Sequence, residues 1–200
     1  MSSPNKTGGM LDHIAVLIKF ISLIALIVAL ASPWIYASGS ENYPDIVVKS
    51  TGSVKTDIPL ETASYKISMY VLGVKLIGVL EIIMLFVLLL SLGFWVYYKY
   101  IIGSKKLEDY ARIYTFDIIL GLLAIIFPLI GIAYYDRFSL TYKYYERRGE
   151  MLKLITVDSI PLYKFTELSL GIGPYAGLIA GLLLFVAAII EGISMNKQLL

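Results

Sequence analysis

The sequence predicts an all-α four-helix transmembrane bundle with a small extracytoplasmic antiparallel β-sheet formed by the two outer loops. Three observations predict it. Four long apolar stretches run from Ile14 to Tyr36, Tyr70 to Tyr98, Ile113 to Tyr135 and Ile172 to Ser194. The segments between them at 37–69 and 136–171 alternate apolar with polar residues, the period of a strand. The composition is 58% hydrophobic and 16% charged, against roughly 45–50% and about 25% in a soluble domain. The 200 residues read as one tetraspan membrane domain.

Each apolar stretch is long enough to cross. About 20 apolar residues suffice, because a helix rises 1.5 Å per residue and satisfies its backbone polar groups internally. The second stretch is the longest, and is expected to tilt or to project a turn beyond the bilayer. The first could pass for a signal peptide, since Ala29-Leu30-Ala31 is a small-x-small pattern. Lys19 interrupts its apolar region, which favours an uncleaved signal-anchor helix.

An even number of spans puts both termini on one side. Lys99, Lys105, Lys106 and Arg112 crowd one short loop, and Lys6 and Lys197 lie in the tails. Positive charge is sparser in the two long loops, so the termini are expected in the cytoplasm and the chain in the cell membrane. Aromatic residues flank the spans: Pro33 and Trp34 are expected at the outer interface with Tyr36, Tyr70 and Tyr135, and Trp95, Tyr97, Tyr98 and Tyr114 at the inner one.

The outer loops carry their own signals. Ile46-Val47-Val48 and Val54 to Ile58 flank the turn Ser50-Thr51-Gly52-Ser53. Tyr65 to Met69 alternates and runs directly into the second span. Thr141 to Glu146 and Met151 to Val157 flank Arg147-Arg148-Gly149-Glu150, a hairpin pattern. One hairpin alone is marginal, so strands from both loops are expected to join in one sheet.

Ionisable residues inside spans are expensive and are functional candidates by default. Lys19, Asp117 and Glu191 lie near the inner ends of the apolar stretches, so pairing of Lys19 with Asp117 or Glu191 is expected, or snorkelling to the interface. Glu81 lies deeper, about 16 Å into its helix at 1.5 Å per residue. It reads as an uncharged buried carboxyl or one bonded to a Tyr or Ser, and less readily as a proton or cation relay. Lys75 is off the face of Glu81 and within reach of the outer interface. Gly173, Gly177 and Gly181 recur every four residues, a helix-packing seam whose partner is either internal or another protomer.

Several chemistries find no residues. There are no cysteines, so disulfides and thiolate sites are excluded. His13 is the only histidine and reads as an interfacial side chain. No phosphate loop, zinc spacing or nucleophile elbow occurs, so no cofactor and no catalytic residue is expected. A net charge of +2 argues against a nucleic-acid partner. Asn5-Lys6-Thr7 matches a glycosylation sequon but falls on the expected inner side, where it is a chance match.

The first span ending in Ser32-Pro33-Trp34, the strand-rich first outer loop, the short inner loop and the second outer loop together resemble the claudin/PMP-22-like tetraspan membrane protein group. The resemblance covers the whole chain as topology. The Gly-Leu-Trp and paired cysteines of that group have no counterpart, since residues 37–69 contain neither Trp nor Cys. The resemblance implies an adhesive, scaffolding or accessory membrane protein and carries over no catalytic residue. The leading expectation is a non-enzymatic integral membrane structural or interaction protein, working as a homo-oligomer or with other membrane proteins. An accessory subunit of a larger respiratory or secretory complex is the alternative, and a channel or transporter using Glu81 is the second.

Overall fold

The computed structural model describes residues 6–39, 44–62, 64–97 and 107–199. Tyr98, Lys99, Lys105, Lys106 and the Asn5 of the sequon lie outside the described residues. Four helices, α1 (Lys6–Ala31), α2 (Leu72–Val96), α3 (Leu107–Tyr134) and α4 (Ile172–Leu199), are each long and apolar enough to cross a membrane. Among the described residues, seven strands lie in the two segments that join α1 to α2 and α3 to α4: β1 (Pro33–Ser38), β2 (Ile46–Lys49), β3 (Val54–Thr56), β4 (Tyr65–Val71), β5 (Ser139–Arg148), β6 (Met151–Pro161) and β7 (Glu167–Leu170).

The helices differ from the apolar stretches at their ends. The first stretch was expected to stay helical to Tyr36, but α1 stops at Ala31. Pro33 has no N–H to give a helix and disfavours the helical conformation at Ser32 before it. As the first residue of β1 it is tolerated, because that position forgoes only one ladder bond. Tyr70 and Val71 belong to β4 rather than to the second helix. Pro128 lies inside α3 without ending it, as neighbouring helices permit in membrane spans.

The chain divides into two compact units. One consists of Met1–Val28, Glu81–Phe127 and Ala176–Leu200, and is helical among the described residues. All four helices feed its core: Val16 and Leu26 from α1, Met84, Leu88, Leu92 and Trp95 from α2, Leu120 and Ala124 from α3, and Ala180 and Leu184 from α4. Its polarity is inverted relative to a soluble bundle. Lys19, Glu81, Asp117 and Glu191 are buried, whereas Leu17, Ile24, Phe86, Leu90, Phe116 and Ile126 face outward. Helices apolar all round suit lipid, which solvates aliphatic side chains and not charges.

The second unit, Ala29–Leu80 with Pro128–Tyr175, contains all the strands among the described residues. One sheet of the expected kind becomes two. The first has the order β3-β2-β1-β7 and the second β4-β5-β6, all antiparallel. Each takes strands from both inter-helix segments. β1 is central in the first because the early end of α1 frees residues 33–38 to pair on both sides: Ile35 lies opposite Val48 of β2 and Leu170 of β7. The sheets meet at Ser53 and Tyr70, which form a bridge, and the Val71 amide donates to the Gly52 carbonyl at 2.9 Å. The β5–β6 turn is the two residues Gly149-Glu150 between the paired Arg148 and Met151. Gly149 has φ 63°, a conformation that glycine supplies without strain at the first turn position.

Trp34, expected at the outer interface, is enclosed by the protein itself. It is 1% exposed, and its indole N–H donates to the Ala29 carbonyl at 3.3 Å. A Cβ on Gly131 would come within 2.7 Å of the ring at Cζ3, and one on Gly173 within 2.7 Å of Nε1. Two absent side chains thus make the room the indole fills, and Pro33 beside it is half-buried in β1. Trp95 is likewise buried, with His13 against its edge at 6.3 Å between ring centroids. Both tryptophans pack into the core of the protein. Trp34→Ala is therefore expected to lower stability by about 3–5 kcal/mol, the range for emptying a large buried aromatic site. Thermal unfolding in detergent micelles measures this, and a change of only a few tenths is the outcome for a ring lying in the lipid interface.

Candidate functional site

The most polar point of the helical unit is a cluster around Lys19. The Lys19 ammonium donates to Asp117 Oδ2 at 2.6 Å and pairs with Glu191 Oε1 at 2.5 Å. Ser91 Oγ lies 3.5 Å from the ammonium and donates to Asp117 Oδ2 at 3.2 Å. One helix supplies each member: α1 the lysine, α2 the serine, α3 the aspartate and α4 the glutamate. The structure brings together the three charges that the sequence placed at similar depth. Snorkelling is not how they are accommodated. Lys19 and Asp117 have no exposed side-chain surface, and the helices run well beyond the apolar stretches, α1 from Lys6, α3 from Leu107 and α4 to Leu199. Asp117 Oδ1 and Glu191 Oε2 are buried without a hydrogen-bond partner among the described residues. A single ammonium cannot neutralise two carboxylates, so with both ionised the cluster carries one excess negative charge.

Ser91 was not singled out from the sequence, nor was Asp12. Asp12 is buried and accepts a hydrogen bond from Ser194 Oγ at 2.6 Å. The available signal was a small polar residue inside or beside each apolar stretch, which in lipid seeks a partner on another helix. Ser22 follows the same rule and donates to the Ala180 carbonyl at 2.7 Å.

Glu81 is separate from this cluster. It is fully buried in α2, and neither carboxyl oxygen has a hydrogen-bond partner among the described residues. The expected Tyr or Ser partner is therefore not present among them. Two cavities lie among the strands, lined by Ile67, Met69, Tyr142 and neighbours and by Tyr36, Asp45, Glu167 and neighbours, and Glu81 lines neither.

Gly173, Gly177 and Gly181 are all buried. At Gly173 the space a side chain would need is held by Trp34 and the Ala29 carbonyl. At Gly181 a Cβ would stand 2.5 Å from the carbonyl carbon of Ala124 on α3. Both ends of the seam therefore pack inside this chain, and close approach of α3 and α4 is the reason for glycine at Gly181.

The outward-facing feature of the strand unit is β6. It forms an edge of its sheet, and residues 151–159 are exposed throughout. A bulge at Ile155 shifts the register, so that Leu152, Leu154 and Val157, paired with Arg147, Tyr145 and Lys143, share one face while Met151 lies on the other with Lys153, Thr156 and Asp158. β5 fixes its register through ten residue pairs and through Tyr142, whose hydroxyl donates to Asp158 at 2.9 Å. The Ser159 amide, then the Tyr142 hydroxyl and the charge of Lys164 hold the Asp158 carboxyl below its usual range. A carboxyl lowered on folding supports the hairpin at neutral pH and withdraws that support as the pH falls through its folded value.

Four long apolar helices with buried charges and two small sheets fit a multi-pass membrane protein. No protein-family model matches the chain, and no curated protein matches its sequence.

Removing the ammonium while leaving both carboxylates should be the most damaging change in the cluster. Lys19→Met is expected to cost about 3–5 kcal/mol, the range for orphaning a buried ionic partner. The triple variant Lys19→Met, Asp117→Leu, Glu191→Leu should recover most of that loss, since an apolar trio leaves no charge to desolvate. Unfolding in micelles compares the two, and a triple variant no more stable than the single one would count against the electrostatic account.

Proposed function

We propose that this protein is a non-enzymatic membrane protein that works in an assembly, joined to other chains through the strands of its two inter-helix segments. The observation that carries the reading is β6. Natural edge strands are usually short, bulged, covered or charged, because a free ladder edge pairs with other chains. β6 has one such device, a bulge at Ile155, yet it spans Met151–Pro161, is flanked by β5 on one side only, and exposes Leu152, Leu154 and Val157 along one face. Such an edge suits strand addition, in which main-chain bonds supply affinity and alternate side chains supply specificity.

The claudin-like layout points the same way, toward adhesion, scaffolding or an accessory role. The glycine seam does not add a second contact inside the membrane, because its ends are occupied within the chain. In this reading the partner is a second copy or another membrane protein, which keeps the accessory-subunit alternative in the same class. The buried, unpartnered Glu81 supports a different reading, a channel or transporter in which that carboxyl relays a proton or cation.

The mass of the natively extracted protein tests the assembly. It is expected to exceed the 22.3 kDa chain mass by whole protein subunits, and Leu154→Lys with Val157→Lys should return it to that of one chain while circular dichroism stays unchanged. A wild-type protein that is monomeric in mild native extraction would defeat the proposal.

The orientation we propose has both termini in the cytoplasm and the strands outside. The chain has no native cysteine, so single cysteines at Ser53, Ser104 and Gly149 can be labelled one at a time on intact cells with an impermeant maleimide. Positions 53 and 149 are expected to react and position 104 to be protected, and the converse pattern means the opposite orientation.

A further inference from the structure

Two ammonium groups stand over one tyrosine at the start of a membrane-length helix. Tyr70 is the penultimate residue of β4, and α2 begins two residues later at Leu72. The Lys75 ammonium lies 5.7 Å from the centroid of the Tyr70 ring. The Lys143 ammonium, from β5, lies 5.7 Å from the same centroid. Register explains the meeting: Tyr70 pairs with Thr141 and Ser68 with Lys143, so Tyr70 and Lys143 are diagonal neighbours on one face of the sheet. Lys75 reaches that ring from the first turn of α2.

The lysines differ in what balances them. Lys66, two positions before Ser68 on the same face, has Glu61 at 3.5 Å. Lys75 and Lys143 have no carboxylate within ion-pair distance among the described residues. Cation–π contact with Tyr70 holds each ammonium in place without neutralising it. Two ammonium groups, each 5.7 Å from the centroid of one ring, concentrate positive charge around it, and an anion at that place is attracted to both. Phosphate chemistry suits the pair, since lysine acts on phosphate as a point charge and tolerates approach from several directions.

The surroundings of Lys75 decide the source of the phosphate. Leu72, Lys75, Leu76 and Val79 follow the i, i+3, i+4, i+7 spacing of one helix face. Leu72, Leu76 and Val79 are all exposed large aliphatic residues of the span Leu72–Val96. The same face therefore offers a cation in its first turn and an aliphatic stripe below it, complementary to a headgroup phosphate and the acyl chain attached to it.

We infer that Lys75, Lys143 and Tyr70 form a binding site for the phosphate of an anionic phospholipid, whose acyl chain lies along Leu72, Leu76 and Val79. The site is independent of β6 and of the assembly proposed above. It gives the strand unit a lipid-dependent anchor where β4 enters the membrane.

Native mass spectrometry of the full-length protein, exchanged into detergent with phosphatidylglycerol or phosphatidylcholine, tests this. Wild-type protein is expected to retain one phosphatidylglycerol about tenfold or more tightly than phosphatidylcholine, in a salt-sensitive manner. Lys75→Gln with Lys143→Gln should abolish that preference, Lys75→Arg with Lys143→Arg should restore it, and Lys153→Gln, at the far hairpin, should leave it unchanged. Tyr70→Phe keeps the ring and should retain binding. Equal retention of the two lipids, or a preference that survives the double glutamine variant, overturns the site. Inorganic phosphate that displaces the lipid at equal concentration would show a free-phosphate site instead and overturn the lipid assignment. Should the glutamine variant fail to fold, the wild-type preference and its loss at high salt still decide the matter.

Discussion

Hydrocarbon offers no hydrogen bonds to a polar group, and the helical unit of this chain, with charges buried and aliphatic residues facing out, is organised as that deficit would require. Backbone groups answer it by forming four uninterrupted helices. Side chains answer it by turning inward, so that Lys19, Asp117, Glu191, Ser91 and Ser22 find partners on neighbouring helices while the aliphatic residues face out. Between apolar helices in lipid there is little hydrophobic drive, and polar links with close backbone contact supply cohesion in its place. The Lys19 cluster does so with one residue from each helix, and Gly181 against Ala124 does so by removing a side chain.

Two of the buried acidic sites in the helical unit solve the same problem differently. Asp117 and Glu191 share one ammonium, so their burial is compensated in part, and each keeps one oxygen without a partner among the described residues. Glu81 has no such compensation among the described residues. A well-packed apolar residue would serve packing equally well or better at that position. That contrast makes Glu81 the residue of the helices least explained by stability, and the Lys19 cluster the one best explained by it.

The strand unit depends on where the first helix stops. Pro33 ends α1 early and releases β1, which then becomes a central strand and draws β7 and β2 to its two sides. Trp34 follows Pro33 into the interior, filling space left by Gly131 and Gly173. A tryptophan expected at the outer interface thus fills the interior of the strand unit. Exposed aliphatic surface is left instead on β6, where neither sheet face is covered.

The sequence by itself determined the four membrane-length helices, the strand content between them and the charges that must be compensated. Those signals are local: apolar run length, period-two alternation, turn glycines at Gly52 and Gly149, and the expense of an ion in lipid. The span Ile172–Ser194, the turn between Ile46-Val48 and Val54, and the passage of Tyr65–Met69 straight into a helix were all legible in this way. Only the tertiary structure decided that the strands form two sheets, that β1 is a strand at all, and that β7 pairs with it. It also decided that Trp34 is buried, that Ser91 completes the Lys19 cluster, and that Lys75 and Lys143 meet over Tyr70. The physical reason is range. A residue's preference for helix, strand or lipid is written in its neighbours along the chain. Which residue fills the gap beside a glycine or shares an ammonium depends on segments a hundred positions away, and becomes definite only when those segments pack.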